Sequence, residues 1–218
     1  MAKNKQNPLI TVVKTNRSFL LFITLMLVFR SAVADWNDVP TGSMKPTIVE
    51  GDRIFVNKMA YDLRLPFTHI SLKKIADPKH NDIIIFDSKS ADKRLVKRVI
   101  GLPGDLVAMQ NNQLMINGTA LNYQKERTTP KIYTEFLFSN HHHIQVSNNS
   151  SPYASFAQVK VPADHYLVLG DNRNNSVDSR VIGFVPRNEI IGRSNKVVLS
   201  LNYDNYFIPR AERFWLTI

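Results

Sequence analysis

At 218 residues, with 44% hydrophobic and 21% charged side chains, the chain has room for one substantial domain and the composition of a folded protein rather than a disordered one. Zero cysteines exclude disulfides, a thiolate nucleophile and cysteine-bound metals, so any hydrolytic chemistry must come from hydroxyl, amine, imidazole or carboxylate groups. A net charge of +10 suits nucleic acid or an anionic membrane surface on composition alone, and the placement of the charges separates the two.

Lys3, Lys5, Lys14 and Arg17 precede the apolar run Ser18–Phe29, and no acidic residue occurs before Asp35. Basic residues ahead of an apolar segment keep an N-terminus in the cytoplasm. The expected organisation is a basic cytoplasmic N-terminus at 1–17, a transmembrane signal anchor at 18–34 and an extracytoplasmic body at 35–218. The positive excess left on the body is ordinary for a domain that binds no nucleic acid. The run has 12 uncharged residues against the roughly 20 that a helix needs to cross hydrocarbon, so it must extend through Ser31–Ala34. Arg30 is then expected to lift its guanidinium to the headgroups, with Trp36 at the interface. Two other readings stay open: a cleaved signal peptide, since Ala32-Val33-Ala34 has the small-x-small form of a cleavage site, and a buried core helix.

Beyond residue 38 the pattern is that of short strands. Arg53–Val56, Asp82–Phe86, Arg94–Ile100, Tyr166–Leu169 and Lys196–Leu201 are rich in β-branched residues and bounded by turns. Leu106–Met109 and Leu114–Asn117, joined across Gln110–Gln113, read as a hairpin. A mainly β body follows, expected as a partly closed barrel or sandwich with Greek-key-like connections. The stretch from about 119 to 163 is polar, Asn/Ser-rich around Ser147–Ser151, and carries His141, His142 and His143; it reads as an excursion from the core.

Three separated segments carry candidate chemistry: Pro40-Thr-Gly-Ser-Met-Lys-Pro-Thr47, Lys97-Arg-Val-Ile-Gly-Leu-Pro-Gly-Asp105 and Gly170-Asp-Asn-Arg-Asn-Asn-Ser-Val-Asp-Ser-Arg180. Ser43 follows Gly42, and Pro46 stops a helix from running through, so the hydroxyl is presented on a fixed turn. A hydroxyl is a weak nucleophile without a base in reach. Lys97 is the candidate base, because strand alternation puts it on one face with Leu95 and Val99. With an ordinary pKa near 10.4, about one amine in a few thousand is neutral at pH 7, and desolvation is the available means of raising that fraction. Taken alone, Lys97 also fits an edge-strand lysine that discourages aggregation. The Gly-Leu-Pro-Gly-Asp turn that locks the end of its strand favours a site. In the third segment Asx turns account for some of the short polar residues. A calcium loop is excluded there, since Arg173 occupies a ligand position and Ser176 stands where the sharp-turn glycine belongs.

The three segments, in this order, resemble the nucleophile, general-base and last boxes of bacterial type I signal peptidases, membrane-bound serine/lysine endopeptidases that remove signal peptides from exported proteins. The resemblance implies Ser43 as nucleophile and Lys97 as general base, with Ser176 hydrogen-bonding and orienting the lysine. Thr41 is implied to form the oxyanion hole with the Ser43 backbone N–H. Arg98, Asp171, Asp178 and Arg180 match bracing positions, and Val39, Met44, Ile48, Leu95 and Val96 match positions lining pockets for small substrate side chains. It further implies a single-pass protein of the bacterial cytoplasmic membrane with its catalytic domain outside. Expected partners are preproteins, the lipid bilayer and the secretion machinery, with no cofactor. Two departures are visible: His80-Asn81-Asp82 stands where many relatives have Arg-Gly-Asp, and Asn174 replaces a frequent aspartate. No motif carries over to residues 119–163.

The histidine run is read as part of an exposed polar loop with no carboxylate nearby, not a metal site, and His80 and His165 as structural. The aromatics and arginines of Asn205–Ile218 suit a membrane interface or a cover for the end of the barrel. Two rival functions stay open: a specialised conjugation or pilin-maturation peptidase using the same dyad, and a catalytically idle, membrane-tethered binding domain.

Overall fold

The computed structural model describes residues 13–68, 70–127, 129, 131–147 and 151–218. Residues 1–12 of the basic N-terminus and residues 148–150 of the Asn/Ser-rich stretch lie outside the described residues. The apolar run forms helix α1 (Arg17–Ala32), whose 16 residues span about 24 Å at 1.5 Å each, short of a hydrocarbon core of about 30 Å. No helix among the described residues is long and apolar enough to cross a membrane. The helix expected to continue to residue 34 stops at Ala32, because the next residues are claimed by a sheet. The Val33 carbonyl accepts from the Lys58 N–H, and strand β1 (Ala34–Asp38) pairs with β2 (Asp52–Asn57). Arg30 does not extend away from the body. Its guanidinium binds Asp35 at 2.6 Å and lies 4.3 Å from the centroid of the Trp36 ring.

The chain continues through the hairpin β3 (Asp62–Arg64) and β4 (Ser71–Lys74), then β5 (Ile83–Ser88), β6 (Lys93–Gly101), β7 (Leu106–Gln110), β8 (Gln113–Ile116) and β9 (Thr119–Ala120). Next come β10 (Asn122–Lys125), β11 (Ile132–Leu137), β12 (Asn140–Gln145), β13 (Phe156–Lys160) and β14 (His165–Leu169). A one-turn helix α2 (Ser179–Ile182) leads to β15 (Val185–Pro186), β16 (Ile190–Ser194), β17 (Lys196–Asn202), β18 (Ile208–Pro209) and β19 (Leu216–Thr217). The main sheet runs β15-β14-β6-β5-β16-β2-β17-β18, with β1 on β2 and β19 on β17, all antiparallel.

The fold is mainly β, as expected; where a partly closed barrel or sandwich was expected, the strand order among the described residues does not close on itself. The sheet keeps two ends, β15 and β18, each a two-residue strand, and edges that short offer little template for pairing with another chain. Both faces of its centre are covered. Ile83 and Ile85 enter one core cluster with Val39, Met44, Ile48 and Ile54, while Ile84 and Phe86 enter another with Val99, Tyr166 and Val168. Two-sided burial is why β5 reads as an unbroken apolar run rather than an alternation.

The polar excursion is ordered into strands. β10, β11 and β12 form a three-stranded sheet, and β13 returns to pair with β7. The histidine run lies on β12 rather than on a loop, so His142 turns inward while His141 and His143 turn out.

Candidate active site

Strand β1 ends beside a loop that carries Ser43, pinned by two buried pegs, Met44 and Ile48. The same loop is stitched to the segment after β14. The Asn172 N–H donates to the Ser43 carbonyl at 3.1 Å, the Asn172 side-chain amide donates to the Gly42 carbonyl at 3.0 Å, and the Thr47 hydroxyl donates to Asp171 at 2.5 Å. Gly170 makes this approach possible. A Cβ there would lie 2.5 Å from the Ser43 carbonyl oxygen and 2.2 Å from Ser176 Oγ.

Lys97 lies on β6 opposite Ile84 and is 2% exposed. Its Nζ is 2.7 Å from Ser43 Oγ and 2.9 Å from the Val96 carbonyl, to which it donates. Burial drives its pKa down to about 8, against the pull of Asp178 and Asp171, which favour the charged form. At that value about a tenth of the amines are neutral at pH 7, several hundred times the share of a free lysine. A neutral amine within hydrogen-bond reach of a hydroxyl can take its proton.

The ion pairs around the dyad are buried and bidentate. Arg98 grips Asp171 at 2.9 and 2.7 Å and also donates to the carbonyl and side-chain oxygens of Asn81. Arg180 grips Asp178 at 2.8 and 2.7 Å, and Asp178 in turn accepts from the Gly170 N–H. Burial alone would raise the pKa of Asp171, but the Arg98 guanidinium outweighs it and holds the carboxyl below its ordinary value.

Together these groups border a cleft of about 930 Å³ whose walls include Trp36, Val39, Thr41, Met44, Leu95, Val96, Ser176 and Val177. One wall has an open backbone edge. β14 pairs with β6 only at Arg98–Gly101, so among the described residues Lys93–Lys97 are paired on the β5 side alone.

The family described as signal peptidase, peptidase S26, matches residues 12–199. This chain belongs to the peptidase S26 family of signal peptidases. It is 34% identical over 216 residues to a signal peptidase I of Pseudomonas fluorescens, covering 91% of this chain and 75% of that one. It is 31% identical to signal peptidase I P of Bacillus subtilis subsp. natto, covering 92% and 94% respectively. A crystal structure of a signal peptidase I from Enterococcus faecalis aligns at 29% identity with a TM-score of 0.37, over 55% of this chain and 98% of that one.

Within this S26 member the structure brings Thr41, Ser43, Lys97 and Ser176 to one cleft, but two expected contacts are absent. Ser176 does not hydrogen-bond Lys97: its Oγ is buried against Gly170 without a partner, and the amine is taken up by Ser43 and the Val96 carbonyl. Ile48 does not line the cleft, being fully buried in the core cluster beneath Met44 and Val39. Val39, Met44, Leu95 and Val96 do line it.

The sequence reading missed the groups behind the last box. Arg173 forms a bidentate pair with Glu135 of β11, and His142 of β12 lies 3.3 Å from the same carboxylate, so the histidine run does have an acidic neighbour. Burial and the nearby Arg98 guanidinium push the His142 pKa down, favouring the neutral ring. Arg173 was legible as a member of its box. Glu135 and His142 had no signal beyond a charge and a histidine on alternating polar strands.

Proposed function

We propose that this chain is a membrane-associated serine endopeptidase that removes signal peptides from exported proteins, with Ser43 as nucleophile and Lys97 as general base. The observation that carries the reading is the 2.7 Å separation of Lys97 Nζ and Ser43 Oγ inside an apolar-walled cleft. The free amine accepts the Ser43 proton as Oγ attacks the scissile carbonyl, and the ammonium then returns the proton to the leaving amine. Water, deprotonated by the same lysine, cleaves the remaining ester. The Thr41 hydroxyl and the Ser43 N–H are the proposed donors to the oxyanion.

The substrate is proposed to bind extended along the free edge of Lys93–Lys97, since a strand added there gains backbone hydrogen bonds while alternate side chains enter pockets. Small residues suit pockets bounded by Val39, Met44, Leu95 and Val96. Arg98, Asp171, Asp178 and Arg180 are assigned to bracing, and their buried bidentate pairs support that role. Ser176 is assigned to the cleft wall beside the lysine. The apolar residues of 18–34 are proposed as the anchor in the bacterial cytoplasmic membrane, with residues 1–17 cytoplasmic and 35–218 outside.

The test is cleavage of a preprotein bearing Ala-x-Ala before its mature sequence, by the native chain and by Ser43→Ala and Lys97→Met. Loss in both variants supports the dyad. Full activity in Lys97→Met overturns it.

A further inference from the structure

A second cavity, of about 610 Å³, lies across the Ser43 loop from the cleft. Pro40 borders both, but Thr41, Ser43 and Met44 face the cleft while Lys45 and Glu50 face the cavity. The cavity comes close to the nucleophile. Lys45 and Glu50 pair at 2.6 Å directly against Gly42, where an added Cβ would lie 2.5 Å from Glu50 Oε1 and 3.0 Å from Lys45 Cε. A substrate laid along the Lys93–Lys97 edge brings its cleaved bond to Ser43, so the residues after that bond leave past this turn. At about 3.3 Å per extended residue, the first three of them span about 10 Å.

The charges of the cavity point to what it takes. Arg213 is neutralised by Asp52, at 2.9 and 2.6 Å, and Lys45 by Glu50. Arg210 has no such partner among the described residues. Its part-buried guanidinium donates to the Glu50 carbonyl at 2.9 Å, to Ser200 Oγ at 3.0 Å and to Asn202 Oδ1 at 3.3 Å, all neutral acceptors. These bonds fix the head of the side chain, and none uses its Nε–H, which with a neighbouring N–H is the fork that takes a carboxylate side-on. Glu50 already feels the charge: burial would raise its pKa, but the Lys45 contact and, more weakly, Arg210 hold the carboxyl below its ordinary value. Asp204, also in the wall, is exposed on the β17–β18 turn, where water and salt screen it more than they screen Arg210.

We infer that this cavity is a specificity site for the mature side of the substrate, in which Arg210 binds an acidic side chain carried by one of the first three residues after the cleaved bond. The inference rests on the dyad reading above, and it adds a charge preference after the bond to the size preference of the pockets before it.

The test uses preproteins with Ala-x-Ala before the cleaved bond and Asp, Asn or Lys at the first, second or third position of an otherwise uncharged mature start, cleaved by the full chain in detergent at low salt. Asp at one of these positions is expected to raise kcat/KM about tenfold over Asn, the scale of one charge-assisted contact, and Lys to lower it. The preference is expected to shrink as salt is raised. Arg210→Gln is expected to bring the Asp/Asn ratio to near one, and Asp204→Asn to increase it. Because the ratio is taken within each protein, a mere loss of bracing at Glu50 and Ser200 slows both substrates alike and leaves it unchanged. Asp204→Asn, at an exposed position, decides the matter if Arg210→Gln does not fold. A native ratio near one at all three positions, or a ratio untouched by Arg210→Gln, overturns the inference, while cleavage of the Asn substrates upholds the peptidase. A preference for Lys assigns the cavity to Glu50 and Asp204 and overturns it too. If the native chain cleaves none of the substrates, the peptidase reading fails and the inference with it.

Discussion

Arg173 and Glu135 meet through two hydrogen bonds of 2.8 and 2.7 Å, with neither side chain more than 1% exposed. The pair clamps the three-stranded excursion onto the segment that holds the Ser43 loop. The backbone repeats the clamp, since the Gln145 N–H donates to the Asp171 carbonyl and the Arg173 N–H donates to the Gln145 carbonyl. Burial works against the Glu135 carboxylate, yet Arg173 and His142 hold it ionised far below its ordinary range. Removing one partner leaves a buried charge unpaired, which costs about 3–5 kcal/mol. Glu135→Ala is therefore expected to lower the melting temperature by about 10 °C and to slow cleavage by loosening the seat of Ser43. Differential scanning calorimetry beside a cleavage assay checks both, and an unchanged melting temperature would show that the clamp contributes nothing.

The depressed pKa of Lys97 predicts opposite effects on activity and stability. The free amine is the active form, so kcat/KM is expected to rise about tenfold per pH unit on the acid side and to level off above about pH 8. For stability, the unfolded chain binds a proton that the folded chain has lost between about pH 8 and 10.5. Stability from this group thus rises with pH across that window, and the full burial penalty is felt below it. Lys97→Met removes the penalty, so at pH 7 it is expected to be inactive yet up to about 3 kcal/mol more stable. Urea titrations of the two proteins at pH 7 and 10 measure the difference, which should shrink at the higher pH.

Thr41 stands exposed at the rim of the cleft with no role in the core. Removing one oxyanion donor costs about 3–4 kcal/mol in the transition state, or roughly a hundred- to thousandfold in kcat. Thr41→Val keeps the shape and removes the hydroxyl. It is expected to lose kcat to that extent while KM and the melting temperature stay near native, and steady-state kinetics with a thermal melt separate this from a folding defect.

How far the sequence revealed all this depends on how local each signal was. β5 and β6 were legible because their runs of Ile, Val and Leu are set by neighbours one and two residues away. The three boxes were legible because each is a short stretch of turn and polar residues. Closure of the sheet was not, since it depends on whether β15 and β18 pair, and strands of two residues each carry no pattern that says so. Ile48 was misplaced for a related reason: an apolar residue beside a nucleophile reads alike whether it faces the cleft or the core. Glu135 and His142 escaped notice because their partner Arg173 is separated from them by a long stretch of chain, and neither strand bears a pattern pointing to it.

Gly170 offers the most stringent check of how the segments are fitted together. Its φ lies outside the left-handed region, so the demand for glycine is one of space rather than of backbone conformation. The obstacle on one side is the Ser43 carbonyl, which already accepts from the Asn172 N–H and cannot withdraw without breaking that bond. On the other side are the Oγ and the Cβ of Ser176, and the Cβ, 2.6 Å away, is fixed to the backbone and cannot be rotated aside. A single methyl group therefore has to push the nucleophile loop off the last segment, and overpacking of this kind costs about 1–3 kcal/mol. Gly170→Ala is expected to fold with a modest loss of stability but to lose most of its kcat, because a shift of about 1 Å at Ser43 spoils its alignment with Lys97. Cleavage kinetics beside a thermal melt decide the matter: native kcat in a stably folded Gly170→Ala protein would mean that the two segments are not as tightly apposed as the structure has them.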